Sequence, residues 1–201
     1  MAKAITEHYG VRLIEVLTGF KFIGEQILFL EQKGKENSYI FGFEESYGYL
    51  SGGYVRDKDA VDGVFMIVEM FAFYATQGIS LLNKIEELYK TYGYYSNYLK
   101  SYEFDGSSGL QKMKDIMNFF RKGIDYVGDV KVINMKDYSL GIEGLPKSNV
   151  IKIYLEDGST VVLRPSGTEP KLKVYLSIVG DSEKNNQTKR DELFKNVEKN
   201  L

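Results

Sequence analysis

The sequence has no cysteine and a single histidine, His8. Without cysteine there are no disulfides, no thiolate catalysis and no cysteine-based zinc sites. One histidine cannot build a metal cluster, and His8 reads as a solvated helix position. An excess of one charge is also missing: 26 basic and 28 acidic residues leave a formal net charge of -2. No whole-protein field favours nucleic acid, so any anion must be recruited by a local site, and a small anionic ligand fits better than a polymer. No apolar run approaches the roughly 20 residues that span a bilayer, and the first residues lack the apolar core of a signal peptide. No membrane partner is therefore expected, and the cytoplasm is the expected compartment. Internal repeats and low-complexity tracts are absent as well. What remains is a chain of 201 residues, 43% hydrophobic, enough for one large or two modest domains.

Residues 1–94 read as part of an α/β domain. A helix over 2–9 is followed after Gly10 by an extended run at 11–17, then by a helix over 22–32 with Ile23, Ile27, Leu28 and Leu30 as apolar positions. Gly34 can end that helix. A short strand is expected at 39–41. Asp59 is suited to cap a long helix, with Asp62 in its first turn and Val64, Phe65, Val68, Phe71, Ala72 and Ala75 on one face. Ser80 caps another helix carrying Leu81, Ile85, Leu88 and Tyr89, which stops at Gly93. A strand normally precedes the first helix of such a layer, and only Met1-Ala2-Lys3 stands there, so the chain reads as starting inside a fold.

Residues 95–201 read as a second domain. Positions 98–104 alternate like a strand, and Ser107 or Ser108 caps a helix with Leu110, Met113, Met117 and Phe120, closed by Gly123. Strand patterns follow at 130–135, 150–155, 159–163 and 172–179, the middle pair joined by the turn Glu156-Asp157-Gly158. A last helix buries Leu193, Phe194, Val197 and Leu201. The expected architecture is an α/β partial domain followed by an α+β domain, with a four-stranded, mainly antiparallel sheet and two helices on one face.

Four segments are more polar than their surroundings. Arg164-Pro165-Ser166-Gly167-Thr168-Glu169-Pro170-Lys171 lies between two apolar strand patterns. A guanidinium fork, two hydroxyls and a glycine that admits close backbone approach suit a phosphate; a polar inter-strand turn would use the same serine and glycine for its backbone. Thr18-Gly19-Phe20-Lys21 opens a helix, where backbone N–H groups favour an oxygen-rich ligand, unless the threonine serves only as a cap. Phe43-Glu44-Glu45-Ser46-Tyr47-Gly48 holds adjacent carboxylates that sugar hydroxyls can satisfy. Paired carboxylates also serve glycoside hydrolysis, although neighbouring residues diverge in direction. Arg56-Asp57-Lys58-Asp59 places two cations ahead of a helix, either as a binding segment or as a solvated charge cluster.

Together these segments resemble the α-D-phosphohexomutases, the phosphoglucomutases and phosphomannomutases. The resemblance is carried by Leu17-Thr18-Gly19-Phe20-Lys21-Phe22-Ile23-Gly24, Gly42-Phe43-Glu44-Glu45-Ser46-Tyr47-Gly48, Arg56-Asp57-Lys58-Asp59 and Arg164-Pro165-Ser166-Gly167-Thr168-Glu169-Pro170, in family order. It implies most of a third domain over 1–94 and a fourth over 95–201. Phe43 stands where the family usually has glycine.

By this resemblance Thr18, Gly19, Glu44, Ser46 and Arg56 would contact the sugar, and Lys58 would assist proton transfer. Arg164, Ser166, Gly167 and Thr168 would clamp the substrate phosphate, with Lys173 adding charge. The implied reaction interconverts hexose 1-phosphate and hexose 6-phosphate through a phosphoserine and a bisphosphate intermediate, glucose 1,6-bisphosphate, with Mg2+ as cofactor. Neither the phosphoserine loop nor the aspartate-rich metal loop occurs in this sequence, so the chain reads as an inactive fragment whose partners are a hexose phosphate and the remaining domains. A non-catalytic phosphosugar-binding module and a phosphopentomutase are the alternatives.

Overall fold

A computed structural model describes residues 1–44, 47–104, 108–142, 144–167 and 169–200. The chain divides into two compact units, Ala2–Glu87 and Leu88–Leu201, the latter together with Met1.

In the first unit, α1 (Ala2–His8) buries none of its residues. The extended run expected as a strand at 11–17 joins no sheet. A strand is defined by its ladder, and no described residue supplies one here. Helix α2 (Phe20–Glu31) starts after Gly19, whose φ of 121° only glycine adopts readily. It ends in a left-handed turn at Gly34, whose N–H donates to the Glu31 carbonyl (2.8 Å), while Lys35 N–H donates to Leu30 (2.9 Å). The strand expected at 39–41 lies further on. Glu36–Ser38 is a turn of 3-10 helix, and the hairpin consists of β1 (Gly42–Glu44) and β2 (Gly48–Leu50), paired Gly42↔Leu50 and Glu44↔Gly48. The core of this unit is small: Phe20, Ile27 and Leu50, with Ile23 and Tyr39 against them.

Helix α3 (Ala60–Thr76) is capped by Asp59 as its sequence requires, the carboxylate accepting the N–H groups of Val61 (2.8 Å) and Asp62 (3.2 Å). Its apolar face is exposed: Val64 is 62% and Phe71 60% exposed, and Gly63 is its one buried residue. Periodicity specifies the helix, but burial needs an opposing layer, and the described residues provide none. Ser80 caps α4 (Leu81–Tyr92) through the N–H of Asn83 (3.1 Å).

The second unit is an antiparallel sheet with two helices. Strands β3 (Tyr94–Glu103), β4 (Tyr126–Val127), β5 (Val130–Asp137), β6 (Ile151–Leu155), β7 (Thr160–Pro165) and β8 (Lys171–Gly180) lie in the order β3-β8-β7-β6-β5-β4. The sheet thus has six strands rather than four. Residues 94–103 pair along their whole length with β8, and the two-residue β4 adds an edge too short to show alternation. Alternate residues of β6, β7 and β8 point inward: Ile151, Ile153, Leu155, Val161, Leu163, Leu172, Val174, Leu176 and Ile178, each at most 1% exposed. Both α5 (Ser108–Arg121) and α6 (Glu183–Glu198) enter that same core, through Met113, Ile116, Met117 and Phe120 and through Leu193, Phe194 and Val197. Leu110, expected with them, is exposed, while Ser107 and Leu201 fall outside the described residues.

The first turn of α6 is locked to the sheet by Asn186, which is fully buried. Its amide donates to the Tyr94 carbonyl (3.1 Å) and to Ser96 Oγ (2.9 Å). A Cβ on Gly180 would collide with Asn186 Oδ1, and Asn186 cannot retreat without giving up both bonds. Gly180→Ala is therefore expected to destabilise the second unit by about 1–3 kcal/mol, read as a lowered urea midpoint at unchanged slope.

Candidate functional site

In the first unit, three of the polar segments converge. Glu44 is the last residue of β1 and Lys58 precedes the α3 cap, and their side chains meet with Lys58 Nζ donating to Glu44 Oε1 at 3.2 Å. The Glu44 side chain is only 12% exposed and that of Lys58 50%, so the pair is shielded on the carboxylate side and open on the ammonium side. Phe20, next to Thr18 and Gly19, forms a wall: Lys58 Nζ lies 5.9 Å from its ring centroid. Gly48 makes room for the pair, since a Cβ there would stand 2.8 Å from Glu44 Cγ and 3.0 Å from Lys58 Cδ. Tyr47, at the hairpin tip, has a φ of 64°, a left-handed conformation unusual for an aromatic residue. Phe43 points the other way along β1, its ring stacked on Phe41 at 5.9 Å.

Arg56 is held within its own unit. Its guanidinium bonds the carboxylate of Glu31, on α2, and the carbonyl of Gly53. The backbone is equally close: a Cβ on Gly24 would stand 2.5 Å from the Arg56 carbonyl oxygen, so only glycine lets α2 lie against this segment.

In the second unit, the phosphate-loop candidate is the tip of the β7–β8 hairpin. Arg164 stands directly opposite Lys173, and Pro165 opposite Leu172. The tip closes by Ser166 N–H to the Lys171 carbonyl (2.7 Å), Lys171 N–H to the Glu169 carbonyl (2.7 Å) and Glu169 N–H to Ser166 Oγ (3.3 Å). Its three cations differ. Lys171 is neutralised by Glu103 (3.2 Å) and Glu169 (3.5 Å), and the bond to Glu103 is the first cause raising its pKa above the ordinary lysine value. Arg164 and Lys173 have no side-chain hydrogen bond or ion pair among the described residues. Like charges directly opposed across a ladder destabilise it, and an anion between them would reverse the sign. A Cβ on Gly167 would meet nothing within 4 Å, so the backbone there is open to a ligand. Ser46 and Thr168 lie outside the described residues.

Comparisons with known proteins cover both units. The model of phosphoglucomutase/phosphomannomutase alpha/beta/alpha domain III covers residues 1–92, and that of the phosphoglucomutase/phosphomannomutase C-terminal domain covers residues 106–193. The chain belongs to the phosphoglucomutase/phosphomannomutase family. A phosphoglucomutase of Staphylococcus epidermidis is 38% identical over 193 residues, 90% of this chain and 35% of that protein. One from Staphylococcus aureus is 37% identical over 190 residues, 89% and 34% respectively. The fold is shared with the open form of the Paramecium phosphoprotein pp63/parafusin, a phosphoglucomutase, with a TM-score of 0.64, 21% identity and 90% of this chain covered against 32% of that one. The chain thus spans about a third of the length of these relatives.

Magnesium, which the family implies, does not fit the described residues. Among the described residues no three His, Asp or Glu side chains are grouped to hold a metal. The Asp-x-Asp at Asp57 and Asp59 is committed otherwise: Asp59 Oδ1 caps α3 and its Oδ2 accepts the Tyr54 hydroxyl (2.9 Å), while Asp57 Oδ1 accepts the N–H of Lys58 (2.8 Å).

Sequence reasoning singles out Glu44, Arg56 and Lys58 but not Phe20, Gly48, Gly24 or Glu31 as their supports. The motif glycines Gly24 and Gly48 carried a signal, since a glycine in a helix or strand points to close approach. Glu31 carried none.

The Tyr54 hydroxyl is the first cause holding the Asp59 carboxyl below its ordinary value, followed by the N–H groups of Asp62 and Val61. A depressed carboxyl contributes stability above the unfolded carboxyl range and loses it as pH falls through the folded value. Tyr54→Phe is therefore expected to move the Asp59 midpoint upward, so that acid loosening of the α3 cap begins at a higher pH. A carbon-13 titration of the Asp59 carboxyl measures this.

Proposed function

We propose that the chain supplies the sugar-hydroxyl and substrate-phosphate recognition of a phosphohexomutase that interconverts hexose 1-phosphate and hexose 6-phosphate. The observation that carries this reading is the opposed pair Arg164 and Lys173, two cations without a counter-charge among the described residues, at the base of a hairpin tip that bears the Ser166 hydroxyl and the open Gly167 backbone. Arg164 offers a planar fork to two phosphate oxygens, Lys173 a point charge, and Ser166 and Thr168 hydroxyl donors. This clamp holds the phosphate that is not reacting.

In the first unit, Glu44 accepts from sugar hydroxyls and Lys58 assists proton transfer at the hydroxyl that Glu44 orients, its ammonium standing 3.2 Å from the carboxylate. Thr18, Gly19, Ser46 and Arg56 complete the sugar contacts. Glu31 takes one of the donors of the Arg56 guanidinium, and a sugar oxygen would take another.

The phosphoryl donor and Mg2+ belong, in this reading, to the longer protein, where charge neutralisation and in-line alignment take place. Glucose is the favoured hexose, supported by the phosphoglucomutase relatives at 37–38% identity. Glucose 1,6-bisphosphate is the corresponding intermediate, and the cytoplasm the compartment.

Two outcomes test the proposal. Arg164→Ala should weaken calorimetric binding of glucose 1-phosphate to the chain about ten- to a hundred-fold, the loss of a charge-assisted contact of about 1.5–3 kcal/mol, while His8→Ala leaves it unchanged. Equal effects of the two variants would remove the phosphate assignment. The 201-residue chain should show no mutase turnover in a coupled assay; turnover would show that it carries its own phosphoryl donor.

A further inference from the structure

Residues 51–58 carry Arg56 and Lys58 from β2 to α3, and a single carboxylate ties the start of this segment to the helix that follows it. Asp62, in the first turn of α3, accepts Ser51 N–H at Oδ2 (2.7 Å) and the Ser51 hydroxyl at Oδ1 (2.6 Å). These bonds reach back eleven residues, so they are no part of the helix cap, which Asp59 already provides. The far end of the segment is fixed separately, by Asp59 N–H donating to the Tyr49 carbonyl (3.0 Å). Between the two ends the chain is held at Tyr54, whose hydroxyl donates to Asp59 (2.9 Å), and at Arg56, which bonds Glu31 and the Gly53 carbonyl, whereas Ser51 is held by Asp62. Gly52 and Gly53 give it conformational freedom, and Tyr54 and Val55 are exposed rather than buried.

We infer that Asp62 is a positioning residue for Lys58. By holding Ser51 with two hydrogen bonds it limits the freedom of the glycines that follow, and together with the anchors at Arg56 and Asp59 it sets where the Lys58 side chain stands against Glu44 and over Phe20. The inference rests on the reading of Lys58 as part of the sugar site. A charge role is the competing account, because a carboxylate in the first turn also complements the helix dipole. Asparagine separates the two: its carbonyl accepts Ser51 N–H and its amide donates to the Ser51 hydroxyl, with no charge.

The test uses the full chain without substrate, measuring amide hydrogen exchange and the ring-current shift that Phe20 imposes on the Lys58 side-chain protons. Asp62→Ala is expected to speed exchange across 51–58 about ten-fold and to abolish the Lys58 shift, while amides in the middle of α3 keep their protection. Asp62→Asn is expected to keep both wild-type signatures, and Ser51→Ala to fall between. Wild-type behaviour of Asp62→Ala, equal damage by Asn and Ala, or loss of protection throughout α3 would each overturn the inference. Because no ligand is present, a failed sugar-phosphate assignment leaves this result standing, and the reverse also holds.

Discussion

The second unit depends on the pairing of β8. This strand is held on both sides, by β3 over ten residues and by β7 over six, and its alternate residues Leu172, Val174, Leu176 and Ile178 all enter the core. A slip of one residue would turn those four side chains to solvent and put lysines and a tyrosine inside. The register is thereby fixed by burial, and everything on the opposite face inherits it. Arg164 and Lys173 oppose each other because Leu163 and Val174 do. A pair of like charges is tolerated at the base of the hairpin because a hydrophobic core on the other face outweighs it.

The first unit reaches its local order by other means. Its core among the described residues is three side chains, too few to immobilise the hairpin and the segment leading into α3. Polar contacts take over: Tyr39 to the Leu50 carbonyl, Asp62 to Ser51, Asp59 to Tyr54 and Glu31 to Arg56. Three of these span eleven residues or more, and the Asp59–Tyr54 bond closes the segment that carries Arg56 and Lys58. The exposed flank of α3 shows the same economy of apolar burial.

Elements whose own residues determine their burial were legible in the sequence. The alternation in β6, β7 and β8, the spacing of Met113, Met117 and Phe120 in α5, and the Asp59 cap were all readable, because each is a local pattern with one physical solution. The first residues of β3 were not, since Tyr94, Tyr95, Ser96 and Asn97 lie on an edge and need no alternation. Positions 11–17 read as an extended run, yet a strand exists only beside another. In the candidate site the residue types were legible and their partners were not. That Lys58 meets Glu44 depends on a hairpin register fourteen residues away, and that Arg56 meets Glu31 depends on how α2 lies. The fourfold resemblance identified the segments; only the fold identified which side chain answers which.

The contact at Gly24 has a mechanical meaning. A helix whose backbone touches the Arg56 carbonyl, and whose Glu31 grips the same residue's guanidinium, cannot slide without carrying that residue along. Helix α2 begins at Phe20, beneath Lys58, and ends at Glu31, on Arg56. It acts as a rigid bar pinned at both ends of the Arg56–Lys58 segment, so a push at its first turn is felt at its last.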